Sequence, residues 1–256
     1  MVPQRYELDR GLYEPSTERS ACGVGFIASL NGVRSHAIVH KALEILRNLE
    51  HRGACGCDPQ TGDGAGILIQ IPHDFLKNAA ADAGFRLPDV HEYGAGLVFL
   101  PPDSLQRRQC IDALEAVVCE EGQQMLGWRD VPVRSDALGC VARAVEPVIR
   151  QVFVARGRDV RDDDAFERKL FVIRKRMENW VRHAGLSQAA FFYVPSLSHR
   201  TLNYKGLLLA PQIEAYFPDL ADTSLVSGIA LVHQRYSTNT FPTWDLAQPF
   251  RFLCHN

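Results

Sequence analysis

A cysteine with small neighbours is the first feature of this sequence that could do chemistry. Cys22 follows Ser-Ala and precedes Gly-Val-Gly-Phe. Glycines let a backbone approach a substrate closely and leave the thiol uncrowded, and a cysteine thiolate is a nucleophile. A cysteine beside a strand is also frequently a small buried apolar residue. The local sequence therefore leaves a catalytic and a structural interpretation open.

An arginine follows the first predicted helix, in His51-Arg52-Gly53. Cations at the end of a helix complement its dipole, and a glycine there is a typical stop signal. Arginine also keeps its charge and geometry when partly buried, so Arg52 could serve as a fixed guanidinium beside an active site. Both interpretations remain open.

A second arginine, Arg235, opens a polar run that directly follows an apolar strand. The run Tyr-Ser-Thr-Asn-Thr occupies positions 236–240. Such polar density at the end of a strand suits a binding loop. A turn packed by Trp244 and Phe250 is an equally good interpretation.

Two glycine-containing motifs between these arginines predict structure rather than chemistry. The loop Thr61-Gly62-Asp63-Gly64-Ala65-Gly66 lacks the Lys-Ser/Thr ending of a phosphate loop and precedes a predicted strand, so we expect a tight structural loop. Cys55-Gly-Cys57 has no second ligand pair at zinc-like spacing. We therefore predict no metal site.

Short apolar strands and longer amphipathic helices alternate along the chain, with no repeats and no low-complexity linker, so one α+β domain is predicted. Strands are predicted near 23–30, 66–71, 94–100, 151–155, 190–194 and 228–233. Helices are predicted from Ser35 to about residue 51 and at 104–120, 138–150 and 162–182, the last capped by an acidic run.

Composition excludes several classes of function. The net charge of −2 in 256 residues indicates neither nucleic acid nor an anionic membrane as partner. No run reaches the roughly 18 apolar residues that a membrane span needs, and residues 1–21 lack the apolar region of a secretory signal. Seven cysteines, an odd number, favour free thiols in the cytoplasm.

Four long segments, taken together and in order, resemble the class II glutamine amidotransferase domain of glutamate synthase large chains. They are ACGVGFIA (21–28), LEHRGACGCDPQTGDGAGILIQIPHDF (49–75), SLSHRTLNYKG (196–206) and HQRYSTNTFPTWDLAQPFRFLCHN (233–256). Related amidotransferases share the Cys-Gly start and the Arg-Gly after the first helix. TGDGAG and STNTFPTWDLAQPF are specific to glutamate synthase.

The resemblance implies an N-terminal-nucleophile hydrolase fold, a four-layer αββα sandwich with two antiparallel sheets. It also implies that residues 1–21 are a propeptide and that 22–256 form the amidotransferase domain, truncated at its C-terminal side. While Ala21 is attached, the nitrogen of Cys22 is an amide that cannot accept a proton. Cleavage makes it an amine with a reference pKa of about 7.7–8.0, suited to a general base.

The resemblance also implies a role for each site residue. Cys22 is the nucleophile, Asn256 matches the oxyanion-hole asparagine, and Arg52 supports the nucleophile's end of the site.

On the substrate side, Arg235 matches the arginine that pairs with the α-carboxylate of L-glutamine, and Ser237 and Thr238 complete the expected substrate contacts. The family's next glycine and its substrate-binding aspartate would lie beyond Asn256. We therefore expect the chain alone to turn over little glutamine.

For the intact enzyme the resemblance implies ammonia transfer to a distant FMN site, where 2-oxoglutarate is reductively aminated with electrons from an iron–sulfur cluster. No cofactor is expected in this domain itself. Expected partners are the remaining synthase domains and, as electron donor, either a small NADPH-oxidising subunit or ferredoxin. Three alternatives stay open: an amidotransferase with another acceptor, a non-catalytic module of the same fold, and a thiol redox or metal protein.

Overall fold

The structure is a computed structural model that describes residues 23–55, 57–235 and 241–250. Within these ranges no helix is both long and apolar enough to cross a membrane.

Four antiparallel strands form the first sheet, in the order β1-β7-β2-β6. Their bounds are Val24–Ala28 (β1), Ala65–Gln70 (β2), Thr201–Gly206 (β6) and Ile229–Gln234 (β7). Strand β7 lies inside the sheet, between β1 and β2. The polar run that begins with Arg235 follows this strand directly.

Three antiparallel strands form the second sheet, in the order β3-β5-β4. Their bounds are Tyr93–Leu100 (β3), Gln124–Asp130 (β4) and Val148–Ala155 (β5). Isolated bridges join β3 to the segment that precedes β6, at Phe99–Tyr193 and Ala95–Ser198.

Six helices accompany the sheets in the described part of the chain. They are α1 (His36–Asn48), α2 (His73–Asp82), α3 (Ser104–Glu120), α4 (Cys140–Ala144), α5 (Asp163–His183) and α6 (Gln212–Tyr216). Helix α1 packs on the first sheet, where Gly25 leaves room for the side chain of Ile45. Asp162 caps α5 by accepting a hydrogen bond from the backbone N–H of Ala165 at 2.7 Å.

Strand β3 of the second sheet is buried on both faces, as the alternation of its side chains shows. Leu97 and Phe99 join the core that also contains α1 and the first sheet. Val98 and Leu100 point the other way and pack with α3 and α5. Successive strand residues face opposite sides, so one apolar strand serves two cores.

The expected α+β class with two antiparallel sheets is confirmed, and it is consistent with an N-terminal-nucleophile hydrolase fold. Most predicted elements are also confirmed, including α3, α5 and five of the strands.

Two predicted elements are wrong. The helix predicted over 138–150 is only α4, because Pro147 disfavours helix in the preceding residue and the β-branched run that follows pairs as β5. The strand predicted at 190–194 is a 3₁₀ turn, Ala189–Phe191, followed by the single bridge at Tyr193. Phe192 and Val194 are buried there, but the stretch meets β3 at this one bridge and forms no ladder.

Candidate active site

Gly23, the residue bonded to Cys22, lies at the end of the first sheet against Gln234. The backbone N–H of Gln234 donates to the Gly23 carbonyl at 2.7 Å. A β-carbon on Gly23 would stand 1.9 Å from the Gln234 carbonyl oxygen and 3.6 Å from Cβ of Arg52. Only glycine fits here, and the close contact brings the neighbour of Cys22 beside Arg52.

Arg52 closes a 3₁₀ turn, Glu50–Arg52, that follows α1. Its side chain is half-buried, and its Nε is buried with no hydrogen-bond partner within the described ranges. The helix ends at Asn48, and Gly53 is extended with φ −85°. The prediction of a glycine helix stop is therefore wrong. Gly53 is needed instead because a β-carbon there would meet Nε2 of Gln234 at 2.2 Å.

Gln234, the last residue of β7, is a buried amide that sequence reasoning missed. Its side chain faces Gly53, and the residue is 1% exposed. Neither Nε2 nor Oε1 has a hydrogen-bond partner in the part of the chain that the structure describes. A buried amide without hydrogen-bond partners destabilises the folded state, so its presence indicates a role other than stability. The feature of the sequence that could have identified Gln234 is its position between an apolar strand and Arg235.

Arg235 is held through its backbone by the Thr61–Gly66 loop. Its N–H donates to the Gly64 carbonyl at 2.8 Å, and only 8% of the residue is exposed. Gly64 has φ +128°, and a β-carbon there would stand 2.9 Å from Cβ of Ala247. Strand β2 begins at Ala65, so a strand rather than a helix follows the loop, as predicted.

Two side chains of β6 hold the segment 245–249. The buried Lys205 Nζ donates to the carbonyls of Asp245 at 2.7 Å and Ala247 at 2.6 Å. Asn203 donates from Nδ2 to the Pro249 carbonyl. Burial holds the pKa of Lys205 well below its usual range. Lys205 and Asn203 therefore fix the segment that precedes residues 251–256 in the sequence.

Five cysteines lie within the described ranges, and all five thiols are free. Cys55 and Cys57 are exposed and free, and Cys55 bridges to Gly62. The Cys140 thiol donates to the Asp58 carboxylate at 3.3 Å. Hydrogen bonds, the strongest from Thr61, hold the pKa of Asp58 far below its usual range.

The structure brings two of the six predicted site residues to one end of the first sheet. Arg52 and Arg235 are linked there through Gln234 and Gly23. The other four, Cys22, Ser237, Thr238 and Asn256, lie outside the described residues. Two arginines and a buried amide at one end of a sheet suit the binding of a small anionic substrate.

Comparison with known proteins identifies the family of the chain. The family of class-II glutamine amidotransferases matches residues 22–256. The glutamate synthase [NADPH] large chain of Bacillus subtilis (strain 168) is 46% identical over 247 residues, which cover 96% of this chain and 16% of that protein.

More distant relatives give the same picture. Ferredoxin-dependent glutamate synthase 2, chloroplastic, of Arabidopsis thaliana is 42% identical and is covered over 14% of its length. Glutamate synthase [NADH] of Schizosaccharomyces pombe is 40% identical and is covered over 12%. The chain thus spans a small share of each of these relatives.

Proposed function

This chain belongs to the class II glutamine amidotransferase family, and we propose that it hydrolyses the side-chain amide of L-glutamine within a glutamate synthase. One observation carries the proposal. Gly23, the neighbour of Cys22, contacts the Gln234 backbone and lies beside Cβ of the half-buried Arg52, and the side-chain amide of Gln234 has no hydrogen-bond partner among the described residues.

Removal of residues 1–21 would activate the nucleophile. The family match begins at Cys22, which supports a mature chain that starts there. The freed α-amine then accepts the thiol proton, directly or through one water, because its reference pKa of about 7.7–8.0 suits a base near neutral pH.

The chemistry runs in two steps. The Cys22 thiolate attacks the carboxamide carbon of glutamine, the C–N bond breaks, and ammonia leaves with the proton held by the amine. Water then adds to the γ-glutamyl thioester, which releases glutamate and restores the thiol. Asn256 donates to the oxyanion of both tetrahedral intermediates, and such a donor contributes about 3 to 4 kcal/mol.

Substrate recognition falls to the end of β7. Arg235 pairs with the α-carboxylate, preferably through two hydrogen bonds, and Ser237 and Thr238 contact the rest of the glutamine. Arg52 supports the nucleophile. Its Nε is buried without a hydrogen-bond partner among the described residues.

The wider synthase would use the ammonia. By analogy with the printed names of the relatives, electrons come from NADPH, NADH or ferredoxin, and FMN with an iron–sulfur cluster serves the reductive amination of 2-oxoglutarate. We assign both redox groups to other domains of the synthase, because the proposed hydrolysis of glutamine at Cys22 uses neither. The free thiols favour a reducing compartment such as the cytoplasm.

Replacing Cys22 by alanine in the synthase polypeptide tests the proposal. We expect glutamate formation from glutamine to be lost and glutamate formation from added ammonium to persist, because only ammonia release is removed. Equal loss of both activities, in a variant with an unchanged unfolding midpoint, would overturn the assignment.

A further inference from the structure

We propose that His91, Asp163 and His199 bind one divalent transition-metal ion of the Zn²⁺ type. His91 lies in the loop before β3, Asp163 is the first residue of α5, and His199 lies just before β6. One ligand atom from each residue falls within 4.8 Å of the others. None of these residues is assigned to glutamine hydrolysis.

The distances suit a metal ion after small side-chain rotations. Asp163 Oδ2 lies 3.5 Å from His91 Nδ1 and 3.9 Å from His199 Nε2. Ligand atoms bound tetrahedrally at about 2.1 Å from Zn²⁺ are about 3.4 Å apart. Two imidazoles and one carboxylate leave a fourth position for water.

Glu167 prepares His199 for this role. Its Oε2 lies 2.7 Å from His199 Nδ1 and also accepts the His199 backbone N–H at 3.2 Å. The Ser198 hydroxyl donates to Oε1 at 2.7 Å. With the proton on Nδ1, Nε2 is the ring nitrogen that keeps a lone pair, and it lies 3.9 Å from Asp163 Oδ2. A carboxylate behind a histidine in this way is the usual support of a metal-binding imidazole.

His91 adds a second mark of a built site. Its φ is 72°, the left-handed region that costs a non-glycine residue free energy. This conformation directs its ring toward Asp163 and His199, whose ring centroid is 5.8 Å away. Oδ1 of Asp163 accepts a hydrogen bond from Arg156 at 3.0 Å, so Oδ2 is the oxygen that faces the two histidines.

The charges around the cluster favour a cation. Carboxylates outnumber guanidinium groups there by four to two. The carboxylates belong to Glu92, Asp163, Asp164 and Glu167, and the guanidinium groups belong to Arg156 and Arg200. Arg200 Nε donates to His199 Nε2 at 3.2 Å, so the metal must displace it. The Arg200 side chain is 46% exposed and already pairs with Asp164, so it can withdraw toward solvent.

No short motif indicates this site, because 72 and 36 residues separate its successive ligands (163 − 91 and 199 − 163). The prediction of no metal rested on the spacing of Cys55 and Cys57 alone.

Metal binding to thiol-blocked protein tests the proposal. We expect one equivalent of Zn²⁺ by equilibrium dialysis with elemental analysis, a higher unfolding temperature with Zn²⁺, and a Co²⁺ d–d band without thiolate charge transfer. His91→Ala should weaken binding at least tenfold and abolish the thermal shift, and Asp163→Asn should do the same. Both ligands are partly exposed, so the variants should fold.

His40→Ala is the matched control, because His40 is an exposed histidine 3.6 Å from the Glu44 carboxylate. It should bind Zn²⁺ as the parent does. Substoichiometric binding by the parent protein, or binding unchanged by His91→Ala, would overturn the proposal.

Discussion

Gln234 packs its side-chain amide against Gly53 so closely that a β-carbon on Gly53 would stand 2.2 Å from Nε2. The contact joins the end of β7 to the turn that carries Arg52. Both polar atoms of the amide lack hydrogen-bond partners in the described ranges. We infer that this amide serves the proposed hydrolysis of glutamine rather than the stability of the fold.

Gln234→Leu separates this role from a structural one. Removing an unpaired buried amide should leave the free energy of unfolding unchanged or raise it by about 1–3 kcal/mol. Glutaminase kcat should nevertheless fall at least tenfold in the synthase. Urea unfolding and steady-state kinetics measure the two effects, with Gln109→Leu on the exposed side of α3 as control. A stable variant with unchanged kcat would remove Gln234 from the site.

Lys205→Met should impair turnover through the segment 245–249. Lys205 bonds the carbonyls of Asp245 and Ala247, and methionine of similar length cannot. We expect kcat for glutamine hydrolysis to fall about tenfold or more, because Asn256, the proposed oxyanion donor, follows this segment in the sequence. Lys77→Met, at an exposed position of α2, is the control. Equal kinetics in the two variants would show that the lysine only fills the core.

The ion pair of Arg129 with Asp219 should contribute strongly to stability. Two hydrogen bonds of 2.8 and 2.7 Å join the side chains, which are 11% and 4% exposed, and the Tyr204 hydroxyl also donates to Asp219. Asp219→Ala leaves a buried guanidinium unpaired and should lower the free energy of unfolding by about 3–5 kcal/mol.

The exposed pair of Asp130 with Arg150 gives the comparison, since the Asp130 side chain is 84% exposed. Asp130→Ala should cost about 1 kcal/mol or less in urea unfolding. A similar loss in both variants would contradict the burial argument.

Glu121 should make the free energy of unfolding depend on pH in the acidic range. Its hydrogen bond from Lys169, helped by Arg176, holds the pKa of Glu121 below its usual value. The unfolded state therefore binds the proton more readily, so the stabilisation is present above the unfolded pKa of about 4.3 and is lost as pH falls through the folded pKa.

Glu121→Gln should accordingly lower the free energy of unfolding at pH 7 by about 1 kcal/mol, and the difference should vanish in strong acid. The neighbour Glu120, whose side chain is 57% exposed, provides the control variant Glu120→Gln. A Glu121→Gln effect that is constant over the whole pH range would contradict the linkage.

Local pattern predicted the strands and long helices well, because apolar periodicity and caps such as Asp162 act within a few residues. It did not predict β6, whose residues Asn203 and Lys205 are polar yet buried by contacts with a distant segment. The same limit applies to the site. Motifs identified Arg52 and Arg235, while Gln234 was noticed only once the fold placed it beside Gly53.

The central claim is that Cys22 acts with its own freed amine, and intact-mass analysis of the synthase tests it most directly. The protein would be treated with 6-diazo-5-oxo-L-norleucine, a glutamine-like electrophile, and its N-terminal peptide sequenced by mass spectrometry. We predict that residues 1–21 are absent and that the N-terminal Cys22 carries the label in proportion to lost glutaminase activity. A protein that retains Met1 or Val2 and still hydrolyses glutamine would contradict the mechanism.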